Sequence, residues 1–103
     1  MAMRYLGGLR GEGTLTLGDQ ALGPVNYELD GYATPPAGHV SASGEIRTAT
    51  AVLKKAFGRR DLKLVTESGR ELGLRFSDKK INGDYAHVDV TSGLPEAKNW
   101  RAA

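Results

Sequence analysis

The sequence predicts a mainly β protein, a small six-stranded antiparallel barrel with one short helix near residues 49–57. Three observations support this prediction. Between residues 61 and 90, apolar side chains recur at strict alternate positions in three sets, which is the period of a strand with one buried face. Breaks that contain glycine separate these sets, as the turns of a meander would. Upstream, the same alternation recurs until residues 49–57, where the spacing of apolar residues becomes helical.

The first half of the chain predicts three strands. One covers residues 13–17, and a short strand over residues 4–9 can precede it. The second runs from residue 25 to residue 30, with Pro24 at its start, where the missing N–H does no harm. The third runs from His39 to Arg47. Between them, residues 31–38 contain two consecutive prolines and are predicted to form the longest loop.

A short amphipathic helix follows the third strand. Thr48 is its predicted N-cap, and Gly58 marks its predicted end. A helix of this length is unstable alone, so its apolar stripe must pack on the sheet. The stripe has i, i+3, i+4, i+7, i+8 spacing and consists of Ala49, Val52, Leu53, Ala56 and Phe57.

The apolar faces of the last three strands also predict how these strands pair. The apolar side chains of these strands can share one core only if each connecting loop has three residues. The two loops are therefore residues 67–69 and 81–83. Shifting the pairing of a strand by one residue would turn its apolar side chains towards solvent. This excludes a two-residue turn at Asn82-Gly83 and requires left-handed backbone at Gly69 and Gly83. The predicted partners are Leu64 with Leu72, Leu62 with Leu74, Phe76 with Val88 and Leu74 with Val90.

Length and composition favour a single domain over residues 1–103, with about residues 95–103 as a tail whose Trp100 docks on the barrel. The chain has no cysteine, which excludes disulfides, thiol catalysis and cysteine-ligated zinc. The sequence shows neither the apolar run of a secretory signal nor one long enough for a membrane-spanning helix. A cytoplasmic location without a membrane partner is therefore expected.

The order of three strands, a helix and further strands resembles the topology of the OB-fold over the first five strands. This resemblance concerns the order of elements alone. Six-stranded barrels of other topologies fit nearly as well.

Positive charge is concentrated in the middle of the chain. Net charge is +2, whereas residues 44–80 contain ten basic and five acidic side chains. Such a patch can bind a nucleic-acid backbone or an acidic protein, but cations at a helix C-terminus also complement the helix dipole. Aromatic residues free for base stacking do not alternate with these cations. The candidate nucleic-acid-binding residues are Lys54, Lys55, Arg59, Arg60 and Lys63.

The two histidines suggest a further, weaker candidate. His87 and Asp89 lie two residues apart on the outward face of the last strand, and His39 opens the third strand. If these strands are neighbours, the three side chains form a two-histidine, one-carboxylate metal site. The alternative is that they are ordinary surface residues of a half-solvated sheet.

These observations favour a small non-catalytic binding or protein-interaction module, with self-association as one way of covering an open strand edge. A nucleophile elbow and a phosphate loop with a following helix are not recognised, so no catalytic residue and no cofactor are predicted. The alternatives are an OB-like binder of single-stranded nucleic acid through the basic cluster, and a metal or small-ligand site at His39, His87 and Asp89.

Overall fold

The computed structural model describes residues 3–35, 39–78, 81, 83–96 and 100. It confirms the predicted fold class, a mainly β chain closed into a six-stranded antiparallel barrel with one short helix. The elements are β1 (Arg4–Leu17), β2 (Gln20–Thr34), β3 (His39–Arg47), α1 (Thr50–Ala56), β4 (Leu62–Thr66), β5 (Glu71–Phe76) and β6 (Tyr85–Ser92).

The barrel consists of two three-stranded meanders joined through α1. Around the barrel the strands follow the order β1-β2-β3-β6-β5-β4, and β4 pairs with β1 to close it. The first meander therefore meets the second at two seams, β1 with β4 and β3 with β6. An OB-fold closes with five strands, whereas this barrel needs its sixth strand to meet β3.

The first two strands are longer than the sequence predicted. The short strand over residues 4–9 and the strand over residues 13–17 are one continuous strand, β1, with a bulge between Tyr5 and Gly7. The predicted loop over residues 31–38 is also shorter, because residues 31–34 belong to β2 and pair with residues 39–42. Residues 36–38 lie outside the described residues.

Helix α1 packs as predicted through its centre but begins differently. Leu53 and Ala56 are fully buried, whereas Ala49 is the N-cap and is exposed, so it is not part of the buried stripe. Thr48 does not cap the helix, because its hydroxyl donates to the carbonyl oxygen of Pro24 at 2.7 Å. Helix α1 ends at Ala56, close to the predicted end at Gly58. Gly58 itself has φ of +79°, the left-handed backbone that often follows a helix.

The hairpins of the second meander confirm the register argument. Gly69 and Gly83 have φ of +89° and +67°, and the Thr66 N–H donates to the Arg70 oxygen at 2.9 Å. Three of the predicted pairs form, Leu64 with Leu72, Leu74 with Val90 and Phe76 with Val88. The fourth, Leu62 with Leu74, lies just beyond the β4–β5 ladder, which ends at Lys63 and Gly73. Asn82 lies outside the described residues.

The core fills the barrel from all six strands and the helix. One end is covered by Trp100, which is 4% exposed and lies against Gly7 and Gly31, so the predicted docking of its indole is confirmed. Within the described ranges, none of the helical structure is long and apolar enough to cross a membrane. The fully buried large side chains are Leu15, Leu29, Ile46, Leu53, Leu62, Leu64, Leu72 and Val88.

Candidate functional site

A cleft of about 500 Å³ opens between the end of α1 and the second half of β5. Its lining combines two kinds of side chain. Phe57, Leu74 and Phe76 contribute apolar surface, and three arginines contribute positive charge. These arginines are Arg59, Arg60 and Arg75. Asp78 and Thr91 complete the polar part of the lining.

The fold creates this cleft because β4 and β5 stop pairing halfway along β5. Their ladder ends at Lys63 and Gly73. Residues 74–76 still pair with β6 along one edge, but their other edge faces the connection between α1 and β4 instead of a strand. The left-handed Gly58 turns the chain out of the helix, and the N–H of Arg59 donates to the Ala56 oxygen at 3.1 Å. Both following arginines therefore lie beside β5.

An aromatic contact joins the two sides of the cleft. The ring centroids of Phe57 and Phe76 are 5.3 Å apart, and the rings are tilted by 51°. Both side chains are only half-buried, although the sequence assigned them to the core. The contact holds the residues after α1 against β5 and leaves part of the apolar surface open to a ligand.

Positive charge exceeds negative charge within the cleft lining. Among the residues that the structure describes, neither Arg59 nor Arg60 has an ion-pair partner. Arg75 forms an exposed pair with Asp89, with 3.4 Å between Nη2 and Oδ2. Asp78, an acidic side chain of the lining, interacts with His87. Two guanidinium groups are thus available to an anionic ligand.

His87 connects the cleft to a polar cluster on the outer face of β3 and β6. Its Nδ1 lies 2.9 Å from Oδ2 of Asp78, and its Nε2 lies 3.8 Å from Oε2 of Glu45. Tyr85 meets the imidazole ring edge-on, with 6.1 Å between centroids. The hydrogen bond with Asp78 raises the pKa of His87 above its ordinary value, and the charges of Asp78 and Glu45 act in the same direction, while burial opposes them.

The structure does not bring the three proposed metal ligands together. Asp89 faces Ser43 and His87 faces Glu45, whereas His39 begins β3 and pairs with Thr34. At about 3.3 Å per residue, His39 lies roughly 13 Å along β3 from the position opposite Asp89. Over the described part of the chain, no group of three or more histidine, aspartate or glutamate side chains is arranged to hold a metal ion.

The proposed basic cluster is divided by the fold. Arg59 and Arg60 line the cleft, whereas Lys63 lies 3.6 Å from Glu71 in an exposed pair. Lys54 and Lys55 are exposed in the last turn of α1 and are not part of the cleft lining.

Sequence reasoning missed Arg75 and the exposed parts of the two phenylalanines. Arg75 lies on the outward face of β5, between Leu74 and Phe76 of the predicted apolar set, so its position was available from alternation. What local patterns do not show is that residues 57–60 lie beside residues 74–78, because that contact depends on where the β4–β5 ladder ends.

No model of a known protein family matches this chain, and comparison with curated proteins and with solved structures also finds no match. The function must therefore be argued from the cleft itself.

Proposed function

We propose that the protein is a non-catalytic binding module whose partner presents an anionic group next to an apolar or aromatic one. The observation that carries this proposal is the combination of Arg59, Arg60 and Arg75 with Phe57 and Phe76 in one cleft. Guanidinium groups bind carboxylates, sulfonates and phosphates through paired hydrogen bonds, and phenyl rings pack on flat apolar groups. A ligand with both features would use the whole lining.

The polar groups near the cleft are exposed to water, which favours a binding role over a catalytic one. The titratable pair beside the cleft is Asp78 and His87, whose side chains are 36% and 51% exposed. General acid–base catalysis works best where water is excluded and the reacting proton is held in place. A water-exposed histidine and carboxylate at the side of an open cleft instead adjust its charge.

The first test measures binding of benzenesulfonate, an aromatic anion whose charge does not change with pH. The double variant Arg59→Ala/Arg60→Ala should weaken binding by about tenfold or more, since each lost guanidinium removes a charge-assisted interaction. NMR titration of backbone amides measures the affinity and shows whether the shifted amides surround the cleft.

The matched control is Lys54→Ala/Lys55→Ala, which removes the same net charge from the exposed face of the adjacent helix. This control should change the affinity by less than about twofold, because solvent screens charges outside the site. Equal losses in the two variants would show that net charge, not the cleft, attracts the ligand, and would refute the proposal.

Single-stranded nucleic acid is a second candidate, and one observation favours it. The cations that can bind a phosphate backbone, Arg59 and Arg60, lie in the same cleft lining as Phe57 and Phe76, whose rings can stack on a base. The sequence predicted such cations but placed no accessible aromatic residue beside them. Basic side chains outside the cleft would contact further phosphates of the bound nucleic acid. These side chains are Lys54, Lys55 and Lys63.

Binding of an oligothymidylate at several salt concentrations tests this candidate. We expect the affinity to fall steeply as salt increases, because each neutralised phosphate releases a condensed counterion. Arg59→Ala/Arg60→Ala should reduce the salt slope by about one to two. An oligonucleotide that does not bind at low salt would eliminate the nucleic-acid candidate while leaving benzenesulfonate binding unaffected.

A further inference from the structure

Asp78 belongs to two sites at once. Its carboxylate lines the cleft with the three arginines, and its Oδ2 lies 2.9 Å from Nδ1 of His87. Among the described residues of the cleft lining, Asp78 is the one acidic side chain, so its charge opposes the binding of an anion there. Any change in the charge of His87 acts directly on that carboxylate.

We propose that anion binding in the cleft is coupled to protonation of His87 through Asp78, so that the ligand binds more tightly as the pH falls. The inference rests on the function proposed above, because it concerns the same cleft and an anionic ligand. It adds to that function a regulatory group that lies outside the cleft lining.

The charges that face His87 explain the direction of this coupling. Asp78 approaches His87 from the segment after β5, Glu45 from β3, and Asp89 lies two residues away on β6. Arg47 pairs with Glu45 and Arg75 pairs with Asp89, and the ring of Tyr85 lies edge-on to the imidazole. The surroundings of His87 therefore contain three carboxylates and two guanidinium groups. Protonation of His87 neutralises the one negative charge that the guanidinium groups leave unpaired.

Neutral His87 leaves the charge of Asp78 uncompensated at the cleft, where it repels an incoming anion. Protonated His87 forms an ion pair with the same carboxylate, so the arginines dominate the field in the cleft. The coupling is reciprocal, because a bound anion must favour the protonated imidazole by the factor by which protonation favours the anion. Ligand binding therefore raises the pKa of His87 further.

The change in affinity with pH is limited to the effect of neutralising one charge, that of Asp78, a few ångströms from a partly solvated ligand. Between about pH 8.5 and about pH 5.5 the affinity should increase roughly three- to tenfold. Benzenesulfonate is the probe, since its charge is constant over this range. An increase would not come from the ligand or from the permanently charged arginines.

Two variants separate this coupling from a general effect of pH. Asp78→Asn keeps the shape of the side chain without its charge, so it should bind benzenesulfonate as tightly at high pH as the wild type does at low pH. His87→Gln should bind weakly at both pH values because glutamine cannot take up a proton to offset the charge of Asp78. His39→Gln is the control and should retain the wild-type pH profile, since His39 lies at the far end of β3.

NMR titration of His87 supplies a second measurement on the same samples. Saturating benzenesulfonate should raise the His87 pKa in the wild-type protein and leave it nearly unchanged in Asp78→Asn. If the wild type and Asp78→Asn show the same pH dependence of binding, the coupling is refuted although the cleft still binds anions. If benzenesulfonate binds at neither pH, the proposed function fails, and the coupling fails with it.

Discussion

Two glycines of the barrel, Gly7 and Gly31, make room for the side chain of Trp100. The indole of Trp100 lies so close to Gly31 that a Cβ at this position would overlap the ring carbons. The neighbouring Gly7 provides the second contact, where an added Cβ would lie 3.4 Å from the indole nitrogen. Because both positions lack side chains, the indole fits against β1 and β2 and is almost completely buried.

We expect Gly31→Ala to displace the indole and to lower the free energy of unfolding by about 1–3 kcal/mol, the usual cost of overpacking. Urea denaturation followed by circular dichroism measures this loss. Gly8→Ala is the control, because a Cβ there would meet its nearest atoms at an ordinary 3.6 Å. Similar losses in both variants would contradict a specific contact between residue 31 and Trp100.

The alternation of apolar residues predicts the direction of individual side chains but not how far they are buried. It correctly assigned Leu74, Phe76 and Val88 to the inward face, since side-chain direction follows from sequence parity alone. It did not reveal that Phe76 is half-exposed, because the extent of coverage depends on which distant segment lies above the residue. The candidate cleft therefore became visible only in three dimensions, although two of its three arginines had been identified as candidates.

Among the elements, the hairpins were the most predictable and the ends of the long strands the least. The loop over residues 67–69 follows from parity, which needs only the apolar pattern on either side. By contrast, β1 runs through Gly7, Gly8 and Gly11, which have no side chains to show alternation, so its first half was underestimated. Similarly, Thr48 was expected to cap α1 but bonds to β2, an acceptor that no local pattern reveals.

The turn at Gly69 allows a clean measurement of backbone strain. A Cβ at this residue would meet nothing within 4 Å, so the positive φ is the main cost of any substitution. Gly69→Ala should reduce stability by about 1 kcal/mol, and Gly69→Asn should reduce it less, because asparagine tolerates the left-handed region. Thermal unfolding of the two variants measures the difference, and the reverse ranking would contradict the turn geometry.

At the scale of the whole molecule, closure depends on the two seams between the meanders. Counting strands predicted a small barrel, but apolar faces do not specify which strand meets which across the helix. The order of the first five strands and the helix resembles the OB-fold, but the closure of this barrel through β6 does not follow from that order. Both seams join segments far apart in the sequence, so neither forms through local contacts alone.

The β1–β4 seam is tight at Gly13, where a Cβ would overlap the backbone oxygen of Val65 and come within 3.0 Å of Leu64. Gly13→Ala should force the two strands apart and lower the free energy of unfolding by about 1–3 kcal/mol. Chemical denaturation measures the change against Gly8→Ala, which adds the same methyl group to β1 without crowding. A Gly13→Ala protein as stable as that reference would show that the barrel is looser at this seam.

The burial of Trp100 has an optical consequence. The chain contains one tryptophan, and its indole lies at the end of the barrel formed by Gly7 and Gly31, outside the lining of the cleft. Its fluorescence emission therefore reports the attachment of the tail without any introduced label. A shift to longer wavelength before the strands melt would mark release of the tail as a separate, earlier event.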